Sequence, residues 1–116
     1  MIGLERGSEM MTAIAEQADK LGGSVVVPAS ALAQVWRGGP KSARLARLVA
    51  GCDVDAMDRE RAKEVGARLG ERGGDDIADG HVACCAVERR GAVVTSDRHD
   101  IEALIEPGEP VRLVAV

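Results

Sequence analysis

Aromatic residues are almost absent from this chain: its 116 residues include no Phe and no Tyr, and Trp36 is the single Trp. Its core must therefore be aliphatic, built from Val, Leu, Ile, Ala and Met, and a lone Trp in so small a domain is expected to be buried in it. Long apolar runs are missing too. None approaches the roughly 20 residues that a membrane-spanning helix needs. Positive charge is not in excess, with 15 Lys and Arg against 19 Asp and Glu, a net charge of −4 and a pI near 5.2. No global field draws in nucleic acid, so an RNA partner requires a local basic patch, and a basic partner protein fits equally well. Cysteine is sparse: Cys52, Cys84 and Cys85 make an odd count with no CxxC spacing and no signal peptide ahead of them. They read as reduced core residues of a cytoplasmic protein. His81 and His99 are too isolated for a zinc site, no Ser-His-Asp or Cys-His arrangement is apparent, and Gly70, Gly73 and Gly74 lack phosphate-loop spacing.

What is present is an alternation of short β-branched runs with longer helical patterns, on a scale that fits one domain. Ser8 to Leu21 has helical periodicity (Met11, Ile14, Ala15, Ala18, Leu21) stopped by Gly22-Gly23. Ser24 to Val27 reads as a buried strand ended by Pro28. Ser30 is expected to N-cap a short helix through Trp36. Ser42 to Ala50 forms another helix, and Cys52 to Met57 an edge strand in which Asp53 and Asp55 alternate with apolar residues. Asp58 caps a helix to about Leu69, with Gly70 to Gly74 as a loop. Asp76 to Arg90 is a helix, Ala92 to Thr95 a strand, Asp97 to Ile105 a helix and Val111 to Val116 a last strand. This order predicts an α/β fold with a mostly parallel sheet covered on both faces. Ligands of such sheets lie at the carboxyl ends of the strands.

Two acidic motifs dominate the last third of the chain, DDIADGHVA (75–83) and VVTSDRHD (93–100). The first puts carboxylates at a helix start and the second just past an apolar strand, with one helix between them, so both can reach one edge of a sheet. Oxygen ligands gathered there suit Mg²⁺ or Mn²⁺ rather than zinc, and such a metal is common apparatus for phosphodiester hydrolysis. Asp79 and Asp97 are the candidate metal ligands. Asp76, Asp100, Thr95 and Ser96 are candidates for the surrounding shell, although Asp76 also serves as a helix cap, Asp100 as a solvated first-turn acid, and Thr95-Ser96 as a strand end. Gln34 offers a neutral oxygen to a metal or its water, or packs beside Trp36. Arg37, Lys41, Arg44 and Arg47 form a basic run with no acid between Gln34 and Ala50. They either hold RNA phosphates or form a solvated face. Trp36 could stack on a base, against the core role expected of it.

The stretches VVVPASALAQVWRGG (25–39) and DDIADGHVACCAVERRGAVVTSD (75–97) resemble the PIN domain, specifically the small VapC-type toxin ribonucleases. The likeness lies in order, spacing and length over nearly the whole chain. It implies a three-layer α/β/α fold and a Mg²⁺- or Mn²⁺-dependent endoribonuclease, the toxin of a toxin–antitoxin pair, held by a cognate antitoxin protein and usually dimeric. By position, Asp79 matches the family's third acid and Asp97 its fourth, Gln34 stands where many members have Glu, and Ile2 to Gly7 match the tail of the first helix. The family's first strand, with its Asp, has no counterpart, so the strands at Val25 and Val93 are expected to face a gap. The expected metal affinity is poor and the expected activity of this chain weak. A competing class is a catalytically dead homologue that still occupies an antitoxin or other partner. A flavodoxin- or receiver-like module ranks last, because neither a phosphate loop nor an Asp after the first strand is present.

Overall fold

The computed structural model describes residues 25–40, 43–95 and 98–115. Four short strands, β1 (Val26–Pro28), β2 (Asp53–Asp55), β3 (Ala92–Thr95) and β4 (Arg112–Ala115), alternate with five helices among these residues. The helices are α1 (Ala29–Val35), α2 (Ala43–Ala50), α3 (Arg59–Arg72), α4 (Ile77–Arg89) and α5 (Arg98–Ala103). The α/β class expected from the alternation is therefore present. Among the described residues β1 pairs in parallel with β2 and β3 with β4, as two separate two-stranded sheets. β1 and β3, the strands at Val25 and Val93, are each paired along one edge within these sheets.

Local chemistry explains most element ends. The Asp58 side chain accepts from the Arg61 N–H at 2.8 Å and opens α3, and the Asp76 side chain accepts from the Asp79 N–H at 3.0 Å and opens α4. Each satisfies one of the orphan donors of a first helical turn. α3 outruns its expected end at Leu69 and closes at Gly73, which takes a left-handed φ of 79° that a glycine adopts without strain. The last turn persists because Arg72 has a use there: its guanidinium donates to the carbonyls of Ala103 and Ile105 at 3.0 and 3.2 Å. Ser30 does not cap α1. Pro28 occupies the cap position with no side-chain bond, and the Ser30 hydroxyl points instead to His81.

α4 is the central element. It packs against α1, α3, α5, β1 and β3, and its buried face is made of small residues, Ala78, Gly80, Ala83, Cys84, Cys85 and Ala86, together with His81. Small side chains let neighbouring backbones come close. At Gly80 an added Cβ would lie 2.9 Å from Val65 Cγ1 and 3.1 Å from Leu69 Cγ, so α3 is seated directly on that glycine. Val65, Leu69, Ala83, Cys84 and Leu104 form one apolar cluster, and Ala86, Val93 and Ile101 another. A third gathers Leu32, Val35, Val49 and Cys52 around Val27. Trp36 belongs to none of them and is 42% exposed, contrary to its expected burial. α1 has no buried residue and ends at Val35, so the chain leaves the core before it reaches Trp36. Cys84 and Cys85 are buried and Cys52 partly so, all as free thiols. Burial pushes each thiol up from its ordinary value, which makes them poor nucleophiles. Among the described residues no helix is long and apolar enough to cross a membrane.

Candidate functional site

α4 and β3 are joined by a tight reversal in which Arg90 takes a left-handed φ of 52° and the Gly91 N–H returns to the Ala86 carbonyl at 3.0 Å. The helix then packs back on the strand. Counting away from this turn, Asp79 lies about 15 Å along the helix, and β3 extends about 13 Å to Thr95. Running back from the turn, the helix has its first turn on the side toward which β3 runs. Asp79 is half-buried there, while Asp76 is exposed and engaged as the cap. The cap reading of Asp76 thus has a bond to support it. Asp97 and Ser96 lie outside the described residues, as does Lys41, and the side chains of Arg44 and Thr95 are not described although α2 and β3 contain them. Asp100 is exposed in the first turn of α5, and Gln34, Arg37 and Arg47 are exposed on and beside α1 and α2. The Arg37 guanidinium donates to the Trp36 carbonyl at 2.7 Å. Among the described residues no group of three or more His, Cys, Asp or Glu gathers in a way that could hold a metal ion.

Among the described residues the densest polar cluster lies elsewhere, at the carboxyl end of β2, and was not expected from the sequence. The Asp55 carboxylate accepts from Arg61 Nε at 3.0 Å and Arg61 Nη2 at 3.1 Å, a two-pronged pairing. It also accepts from Arg89 Nη2 at 3.3 Å and lies 2.8 Å from His81 Nε2. Arg61 donates further to Glu64 and Glu88. Burial works against ionising Asp55, but the hydrogen bonds from Arg61 and His81 and the Arg61 charge outweigh it and hold the carboxyl well below the usual carboxylate range. Hydrogen bonding to Asp55 in turn raises Arg61 above its ordinary value. Because an ionised carboxylate only accepts, His81 Nε2 must carry a proton. In the neutral ring Nδ1 then accepts from the Ser30 hydroxyl, 2.8 Å away.

Ser30, His81 and Asp55 therefore form the Ser-His-Asp chain for which the sequence had given no indication. Its setting argues for a structural role. His81 is fully buried with both ring nitrogens engaged, and the Asp55 carboxylate is saturated by two arginines. The chain ties α1, β2, α3 and α4 together and offers a substrate no approach to the imidazole. The sequence hid it because its members are up to 51 positions apart, and each alone looks like an ordinary surface or helix residue.

No family model, no curated protein and no solved structure matches the chain.

Proposed function

We propose that the chain is a Mg²⁺- or Mn²⁺-dependent endoribonuclease of the VapC-type PIN class, acting as the toxin of a toxin–antitoxin pair, with Asp79 and Asp97 as its metal-side carboxylates. What supports this reading is the order of the two acidic motifs about the α4–β3 reversal: Asp79 stands in the first turn of the helix that packs back on β3, and Asp97 follows the end of β3 by two residues in the sequence. The donor set suits the ion, since Mg²⁺ commonly takes one or two carboxylates from a protein and completes its shell with water and substrate phosphate. When bound, the metal would lower the pKa of a water and stabilise charge on the phosphate. Arg37, Lys41, Arg44 and Arg47 would hold the RNA backbone. Two acids make a weak site, so slow cleavage is expected.

The test is cleavage of RNA by the purified chain with Mg²⁺ or Mn²⁺ against a chelator control, repeated with Asp79→Asn and Asp97→Asn. Slow metal-dependent cleavage lost in both variants, with melting temperature retained, supports the reading. Cleavage that survives both substitutions sinks it. A second reading rests on Gln34, a neutral residue standing where many members of the resembled family have Glu: a partner-binding homologue without catalysis, which tolerates Asp79→Ala with no loss of partner binding.

A further inference from the structure

α4 is held by its neighbours in two different ways. Against α3 its register is set by shape: Gly80 leaves a notch in which a Cβ would lie 2.9 Å from Val65 Cγ1. α1 packs on α4 as well, but it has no buried residue to set into such a notch. The buried face of α4 is otherwise small, with Ala78, Ala83, Cys84, Cys85 and Ala86. Shallow ridges let helices approach closely and specify their relative slide weakly. A directional bond ties this contact instead. Ser30 Oγ lies 2.8 Å from His81 Nδ1, and His81 Nε2 lies 2.8 Å from Asp55 on β2.

Two observations set this chain apart from ordinary core packing. Asp55 is paired with Arg61 and Arg89 in any case, so the imidazole is not needed to neutralise it. Ser30 stands in the first turn of α1, yet its hydroxyl caps nothing and goes to His81. Burying an imidazole carries a desolvation penalty that an apolar side chain avoids, and the best attested use of a buried polar group is to fix register. Asp79 stands two residues before His81, about 3 Å along the helix axis, between the buried Ala78 and Gly80. A pin so close leaves that carboxylate little room to slide or turn.

We propose that Ser30 and His81 are positioning residues of the candidate metal site: their bond, anchored on Asp55, fixes α4 against α1 and β2 and with it the place of Asp79. The inference rests on the reading of Asp79 as a metal-side carboxylate. Both residues act through the helix that carries Asp79, not on metal or RNA.

The test is a Mn²⁺ titration of the whole protein, followed by the paramagnetic loss of amide signals from the first turn of α4. The parent is compared with Ser30→Ala, Ser30→Thr and Glu109→Gln. Ser30→Ala should shift the metal-free signals of residues 78–82 and need about tenfold more Mn²⁺ to quench Asp79 and Gly80, the low end of what is lost when a group that orients a ligand is removed. Ser30→Thr, which keeps the hydroxyl, should restore both. Glu109→Gln, which loses an ion pair to Arg68 elsewhere, should follow the parent and so separates position from stability. Three results overturn the proposal. Ser30→Ala that binds Mn²⁺ as the parent does removes the positioning role and leaves the nuclease reading intact. Equal weakening in Ser30→Ala and Glu109→Gln assigns the effect to lost stability. A parent in which Mn²⁺ quenches no amide of that turn sinks the metal reading, and this inference with it.

Discussion

Replacing Asp55 by Ala would test the buried ion cluster most directly. The carboxylate is the common acceptor for Arg61, Arg89 and His81, and the side chains of Asp55 and Arg61 are only 7% and 8% exposed. Its removal leaves a buried guanidinium short of its main counter-charge and a buried imidazole N–H with no acceptor. Breaking a buried pair from one side costs about 3–5 kcal/mol. Arg61 keeps Glu64 and Glu88, whose side chains are 54% and 59% exposed and screened by solvent, so the lower end of that range is expected. A loss of about 3 kcal/mol is a large share of the roughly 5–15 kcal/mol that holds a domain together. For a domain of this size it lowers the melting temperature by roughly 10–20 °C. Far-ultraviolet circular dichroism is the suitable assay, because Trp36 lies outside the core clusters and would report on its own surroundings. Ser30→Ala, which removes one hydrogen bond at the end of the chain, should cost only about 1 kcal/mol. A melting temperature for Asp55→Ala within roughly 3 °C of the parent would refute the reasoning, since it would mean that the carboxylate binds nothing the fold needs.

Three further outcomes follow from the same geometry. Gly66→Ala, whose new methyl meets nothing within 4 Å in mid-helix, should raise stability by about 1 kcal/mol. Gly80→Ala, set against Val65 and Leu69, should lower it by about 1–3 kcal/mol through overpacking; chemical denaturation of the two variants checks both signs. Asp76→Ala should cost about 1 kcal/mol as a lost cap, which a thermal scan beside the parent checks. Stability should also fall on acidification. Hydrogen bonds from Arg68 hold Glu109 down to about 2, and Asp55 is depressed as well. Depressed carboxylates contribute stability that is fully present above their unfolded values near 4 and is lost as pH drops through the folded ones. Unfolding free energy should therefore decline between pH ~4.5 and ~2, more gently in Glu109→Gln. A flat profile over that window would contradict the ion pairing.

How much of this was legible in the sequence depended on the range of the interaction. Asp58 and Asp76 announced themselves because a cap bonds three residues ahead. β3 was legible from Ala92-Val93-Val94-Thr95 with its flanking glycine and polar residues. Gly70 misled because glycine is tolerated in a helix when later side chains, here Arg72, find partners. Trp36 misled because composition says what should be buried but not where a seven-residue helix stops. The Asp55 cluster was out of reach: its bonds to Arg89 and His81 join residues 34 and 26 positions apart. Of the candidate site, the start of α4 was readable as an acidic edge. Asp76 was readable as the cap of that helix, and its cap bond is present.

The contacts of α4 bear on how the molecule moves. It is a spine against which both strand pairs rest, and in the described sheets neither pair shares a ladder bond with the other. Each pair is a leaf that can breathe on its own, whereas the spine opens only when its neighbours on several sides let go. Amide protons in the middle of α4, around Ala83 to Ala86, should accordingly exchange last and set the global unfolding limit. The strand amides should exchange earlier through local opening. A ligand that pinned both leaves at the edge where Asp79 lies would slow them together, and so would reach the dynamics of strands it never touched.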